Sequence, residues 1–295
     1  MNKISIVLIF LAMACFCEMP AQRRFRIAEY NVENLFDTIH AEGFHDEDFL
    51  PRGSRQWTSG RYWKKLGRLA RTIAEIGDIQ PADIVVLCEV EGDSVMRDLT
   101  QRTMLRRLGY EYIISHSMDI RGIDIAVLYQ PLSFMPVQKD SLRISPPPGF
   151  RTTRDILHVC GITISGDTLD IFAVHMPSRN GGSRQTSPFR EKVADELRSF
   201  TDSIKSMRRC PNIIILGDFN DEASDKSIRK SLGAIYNKVY TPKQKDLVVL
   251  RSRCNNPEVR GTYRFHRKWY ELDHIIVSGN LLIQPCGLRL TEQRA

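Results

Sequence analysis

The 295-residue sequence contains no C-x-x-C pair, no repeat of fixed period and no low-complexity tract. The first absence disfavours a structural zinc site, which needs closely spaced thiolates. The second excludes a solenoid, and the third a compositionally biased fibre or linker. Beyond residue 21 the cysteines are Cys88, Cys160, Cys210, Cys254 and Cys286. They are odd in number and widely spaced, which argues for buried free thiols in strands over a disulfide framework. No stretch after the N-terminal segment is apolar for long enough to cross a bilayer as a helix.

What is present is ordinary for a soluble globular protein: 42% hydrophobic and 26% charged residues. The formal net charge of +7 favours anionic partners, namely nucleic acid, phospholipid headgroups or sugar phosphates. Lys3 followed by the apolar run Ile4 to Ala14 has the form of an export signal. Cleavage is expected after Ala21, in Met19-Pro20-Ala21-Gln22, with Cys15 as an alternative lipid-attachment site. Residues 1–21 are therefore read as a signal peptide and 22–295 as one domain. The expected product is periplasmic or extracellular, released or lipid-anchored, and monomeric.

Arg24 to Tyr30 alternates as a strand. Thr58 or Ser59 can cap a helix over Arg61 to Ile76, with Trp63, Leu66, Leu69 or Ala70, Ile73 and Ile76 on one face. Ala82 to Cys88 has the continuous apolar pattern of a buried strand. Asp93 to Leu108 reads as a second helix, and Tyr112–Ser115 and Asp124–Tyr129 as strands. Arg154–Ile164 and Thr168–His175 flank a turn as a hairpin, and Ser187-Pro188 opens a long helix to Met207. Asn212–Leu216, Gly261–Phe265 and His274–Ser278 complete the strands. Hairpins mixed with helices that follow strands predict an α/β sandwich of mixed sheets.

Polar residues recur where apolar strands run out: Asn31 and Glu33, Glu89, His175, then Asp218 and Asn220. Loops at strand ends are where a rigid scaffold presents functional groups. Carboxylates and amide oxygens suit Mg²⁺, with Mn²⁺ or Ca²⁺ as alternatives. Each residue alone reads as a turn, cap or structural group; the ordered set reads as a site. The loop Gly43 to Arg55, with His45-Asp46-Glu47-Asp48, is read as solvated, and a second cation site there as the sharper alternative.

Six segments then resemble the endonuclease/exonuclease/phosphatase family in order. They are Tyr30-Asn31-Val32-Glu33, Ala82 to Glu89, Arg121 to Tyr129, Val174-His175-Met176-Pro177-Ser178-Arg179, Gly217-Asp218-Phe219-Asn220-Asp221, and Trp269 to Ser278. The resemblance implies a four-layer α/β sandwich of two packed mixed sheets flanked by helices. It implies a metal-dependent phosphodiesterase with Glu89 as the main metal ligand, joined by Asn31 and Glu33. His175 would bind the scissile phosphate, Asp218 would orient or activate water with Asn220 beside it, and Asp273 would hold the far side. Asn31, Arg179 and Asp124 are the expected substrate contacts, Asp124 as a support for His175.

The family's final Asp-His motif has no counterpart after Ser278, so the last strand is expected to be lacking and the domain C-terminally incomplete. Leu272-Asp273-His274 is assigned to the penultimate strand instead, since alternation turns His274 away from a cleft that Asp273 faces. Nuclease-type hydrolysis leads. A lipid or inositol phosphate hydrolase, sphingomyelinase-like, is the second enzyme reading, and a non-catalytic binding protein or defective remnant is the third.

Overall fold

The apolar run in Ile84–Val90 (β2) has no polar face because both faces of its sheet are covered. Ile84 and Val86 point toward a second sheet, whereas Val85 and Leu87 point toward helices. In the computed structural model, described for residues 24–77, 79–236, 239–251, 256–285 and 287–291, this pattern fixes the layering. The segment expected to be an export signal, Cys254 and Cys286 lie outside the described residues.

The first sheet runs β1 (Ile27–Leu35), β2, β4 (Asp124–Tyr129), β3 (Glu111–Ile114). β1 and β2 are parallel and the other pairs antiparallel. The second sheet has six strands in the order β5 (Phe134–Leu142), β6 (Ile156–Thr163), β7 (Thr168–His175), β8 (Ile213–Asp218), β12 (Asp273–Ser278), β9 (Leu247–Val249). Here only β7 and β8 are parallel. The inner faces meet through Ile125 and Val127 on one side and Leu157, Ile171, Leu216 and Val277 on the other.

Helices α1 (Ser59–Ile76) and α2 (Asp93–Gln101) close the outside of the first sheet, and α3 (Ser183–Met207) that of the second. The result is four layers, with two mixed sheets between helices. Among the described residues β1 pairs with β2 alone. A small hairpin, β10 (Tyr263–Phe265) and β11 (Lys268–Tyr270), stands apart from both sheets, and a short helix, α4 (Asn280–Ile283), follows β12. No described helix is long and apolar enough to cross a membrane.

Local differences from the sequence reading have physical causes. α1 buries Tyr62 with Leu66, Leu69, Ala70 and Ile73, while Ile76 stays exposed. The second predicted helix breaks after Gln101, because Thr103 accepts a hydrogen bond from Leu105 N and starts a separate 3₁₀ turn, Met104–Leu108. α3 begins four residues before Ser187, with Pro188 inside it. β5 carries Pro136 at the edge of its sheet, the position where a missing ladder donor is tolerated. Cys88 and Cys160 are buried free thiols, but Cys210 is exposed. Asp46 is not a solvated loop acid: it is buried, and its carboxylate accepts from Ala41 N at 2.7 Å and pairs with His40.

Candidate active site

Three strand ends and one bulge place the polar residues together. His175 ends β7 and Asp218 ends β8, and the parallel register sets the two side by side. Gly217, one residue earlier at φ +139°, makes this approach feasible, since a Cβ there would overlap the Val174 carbonyl oxygen. Asp273 opens β12 opposite Asp218. In β2 the register shifts between Cys88 and Val90. Glu89 at the shift adopts φ +68°, a left-handed conformation that aims its side chain differently from regular alternation. Asn220, at φ +51°, is a second such residue beside the site, where strained backbone tends to collect.

At the centre, His175 Nε2 lies 3.7 Å from Glu89 Oε1 and 3.7 Å from Asp218 Oδ2. Those distances exceed hydrogen bonds and leave a gap that the three atoms surround. One ligand atom from each of Glu89, His175 and Asp218 lies within 4.8 Å of the other two. The Asn31 amide donates to Asp218 Oδ2 at 3.1 Å and to Glu89 Oε1 at 3.4 Å, while its Oδ1 accepts from Glu33 N. In this orientation Asn31 bridges the two carboxylates as a donor and does not present an oxygen to the gap.

The cluster is strongly acidic. Burial, then Asp273 and Glu89, push Asp218 up to about 7, while the Asn220 backbone N–H and Arg154 pull the other way. Asp273 is raised chiefly by burial, against a hydrogen bond from Thr262. Glu29, on the same face of β1 as Asn31, is raised well above the carboxylate range by burial and by Asp273 and Asp218. Glu29 Oε1 and Asp273 Oδ1 are closed off from solvent and have no hydrogen-bond partner. Mutually repelling carboxylates with unsatisfied oxygens are a donor set that fits a hard divalent cation. His175 is lowered by burial, with Arg154 and Arg121 adding to it, and is therefore held neutral.

Other expected residues fall into different places. Glu33 is exposed and lines the mouth of the cleft, outside the three-residue cluster. The Asn220 amide is committed to the Met176 carbonyl at 3.1 Å, and its N–H to Asp218 Oδ1 at 2.8 Å. Arg179 lines the cleft, tied to Asp225 at 2.8 Å and to the Asn220 carbonyl. Asp124 does not support His175: its Oδ1 accepts from Ser115 Oγ and Ser117 N, and His175 Nδ1 has no partner. His274 is buried against Phe219, with Nε2 2.9 Å from the Asp221 carbonyl. The sequence reading missed Glu29, hidden in the alternation of β1. It also missed the buried Arg154, whose guanidinium meets Asp119 at 3.1 Å and the Met176 carbonyl at 2.7 Å.

The cluster sits in a cleft of about 1600 Å³. Arg24, Arg26, Arg55, Arg121 and Arg179 are on its walls, which makes a cationic approach to an acidic floor.

The fold has solved relatives at low identity. A mannosyl-6-phosphatase from Bacteroides thetaiotaomicron is 18% identical, with a TM-score of 0.58, over 86% of this chain and 85% of that one. The human Nocturnin catalytic domain is 19% identical at a TM-score of 0.52, over 86% and 82%. D. rerio TDP2, complexed with a single-strand DNA product, is 14% identical at 0.54, over 86% and 83%. No protein of curated function matches the sequence. The sequence itself matches the Endonuclease/Exonuclease/phosphatase family over residues 26–294, and the chain belongs to that family.

Proposed function

We propose that this protein is a divalent-cation-dependent phosphodiesterase of nuclease type, acting on nucleic acid. The observation that carries this is the gap bounded by Glu89, His175 and Asp218 at the floor of an arginine-walled cleft. A bound Mg²⁺ or Mn²⁺, held by Glu89 with Asp218 at hand, would neutralise phosphate charge and stabilise a leaving oxygen. Everything else falls to the chain's own groups. Asp218 is placed to orient an attacking water and accept its proton; its pKa is raised to about 7 in the cation-free site, and a cation bound beside it would lower that value. Neutral His175 offers one N–H to a non-bridging phosphate oxygen. Asn31 fixes both carboxylates through one amide, and Arg121 on the cleft wall attracts the substrate anion. The export signal read at residues 1–21 would deliver this activity outside the cytoplasm.

The test is a hydrolysis screen of the full chain with Mg²⁺ or Mn²⁺ against single- and double-stranded DNA, RNA, sphingomyelin and inositol phosphates. Cleavage of nucleic acid, abolished by EDTA and by Glu89→Gln, is expected. Turnover that persists in EDTA would end the cation-dependent reading. Turnover confined to the lipid or inositol substrates would move the protein to the second enzyme class. Absence of any turnover, together with no cation-induced shift in Tm, would favour a binding protein.

A further inference from the structure

The β10–β11 hairpin has two unlike faces. Tyr263 pairs with Tyr270, Arg264 with Trp269 and Phe265 with Lys268. Directly opposed residues share a face, so Tyr263, Phe265, Lys268 and Tyr270 lie on one side and Arg264 and Trp269 on the other. Tyr263, Phe265 and Tyr270 line the active-site cleft, whereas Arg264 and Trp269 do not. On the far face Arg264 covers the Trp269 ring at 5.5 Å.

The cleft face is built for flat, anionic company. Tyr263 and Phe265 are 45% and 51% exposed, so both rings are open to a ligand. Their ring planes agree within 13° and their centroids lie 6.3 Å apart. Lys268 Nζ lies 4.8 Å from the Tyr270 ring centre, and Arg179 lies 5.9 Å from the same ring. The hairpin also has a defined turn and an anchor. Its turn residues His266 and Arg267 both have left-handed φ, 46° and 65°, the geometry of a tight two-residue turn. Thr262 Oγ1 accepts from Leu272 N and Asp273 N at 3.1 Å each, which joins the hairpin to the acidic cluster.

We propose that this face is a base-stacking platform. In this assignment, which rests on the phosphodiesterase reading above, Tyr263 and Phe265 hold unpaired bases of a single-stranded nucleic acid while Lys268 meets its backbone. Base–aromatic stacking with interleaved cations is a sequence-tolerant way to hold a single strand. A membrane surface is disfavoured because the rings face into a concave cleft and do not project from a convex edge.

Fluorescence anisotropy in EDTA tests it, with a short labelled oligothymidylate against an abasic strand of the same phosphate number. The wild type should bind the thymidylate about tenfold or more tightly than the abasic strand, given the usual worth of a stacked base. Tyr263→Leu/Phe265→Leu, which keeps apolar bulk but removes the rings, should erase that difference. Tyr263→Phe should retain it and thereby report that the hairpin still folds. Equal binding of the two strands, or an undiminished preference in the double Leu variant, overturns the platform. Loss of binding to anionic phospholipid vesicles in the Leu variant, with the thymidylate preference intact, overturns it in favour of a membrane contact. Hydrolysis of bis(p-nitrophenyl) phosphate with Mg²⁺ separates the two readings. Its absence beside a ring-dependent thymidylate preference sinks the enzyme and leaves the platform, and its presence without that preference does the reverse.

Discussion

Asn31 and Asp218 are 187 residues apart in the chain, yet the amide of one donates to the carboxylate of the other at 3.1 Å. The bond crosses from the first sheet to the second, and the same nitrogen also reaches Glu89. One neutral side chain thus keeps two repelling carboxylates at a common distance. Asn31→Asp replaces that donor with a third negative charge. The variant should lose hydrolysis by about 10²-fold or more, as for loss of a positioned polar group. Its cation-free Tm should fall, and millimolar Mg²⁺ should restore more of it than in the wild type. Differential scanning calorimetry with and without Mg²⁺ reads this. A variant whose Tm is indifferent to the cation would show that the carboxylates do not share one.

A pH limb follows from Asp218. A base must be deprotonated to work, and this one is raised to about 7 by burial and neighbouring acids. Rate should therefore climb as pH rises through neutrality, steeply at low cation concentration. A bound divalent cation favours the charged form, so higher Mg²⁺ should shift the limb to lower pH. Profiles of kcat/KM at two Mg²⁺ concentrations check the sign. A limb that does not move, or moves upward, contradicts the placement of Asp218 beside the cation.

Much of this site was legible because its residues follow apolar runs. Glu89 ends Ile84-Val85-Val86-Leu87-Cys88, and Asp218 ends Ile213 to Gly217, so burial pattern and chemistry change at one residue. The two-sheet sandwich was legible for the same reason, since doubly covered strands such as β2 lose their polar alternation. Glu29 was not, because a polar residue within alternating β1 looks solvent-facing, whereas here the residue is half-buried with Oε1 closed off from solvent beside Asp218 and Asp273 of the second sheet. Arg154 reads as the polar start of a strand, and its pairing with Asp119 depends on a contact 35 residues away. The strand expected over Gly261–Phe265 is β10, but its partner β11 was not read, because three residues, Lys268–Tyr270, carry too short a pattern to mark a strand. The role for Asp124 came only with the family resemblance; nothing in the sequence shows that Ser115 and Ser117 already satisfy its carboxylate.

The two histidines near the second sheet's active end should separate cleanly. His175 faces the gap with Nε2. His274 points the other way along β12, into Phe219 and the Asp221 carbonyl. His175→Ala should lower turnover by about 10²–10³-fold, the usual contribution of one donor aimed at transition-state charge, with little change in Tm. His274→Ala should cost about 1–3 kcal/mol of stability through a lost buried hydrogen bond, with turnover of the folded fraction retained. Urea unfolding and steady-state kinetics on both variants decide it. The reverse pattern would place the catalytic imidazole at His274.

Glu29 sets the last expectation, because its position is costly for the fold and useful only beside a cation. Its Oε1 is sealed from solvent without a donor, and Asp273 and Asp218 lie within electrostatic range. Its folded pKa is raised above the ordinary 4.5, so the native state holds this proton where the unfolded chain has released it. Stability from that proton is fully present below the unfolded pKa and drains away as pH rises toward the folded one. Glu29→Gln keeps the shape and cannot ionise. In EDTA the two proteins should therefore have similar Tm in acid, and the variant should pull ahead progressively as pH rises above the ordinary carboxylate value of 4.5. Adding Mg²⁺ should narrow the gap by stabilising the wild type more, since a cation near Asp218 and Asp273 also relieves Glu29. Tm measured across pH in EDTA and in Mg²⁺ reads both effects. If the variant is the less stable protein at alkaline pH in EDTA, Glu29 has a partner that offsets its charge, and the cluster is not short of positive charge.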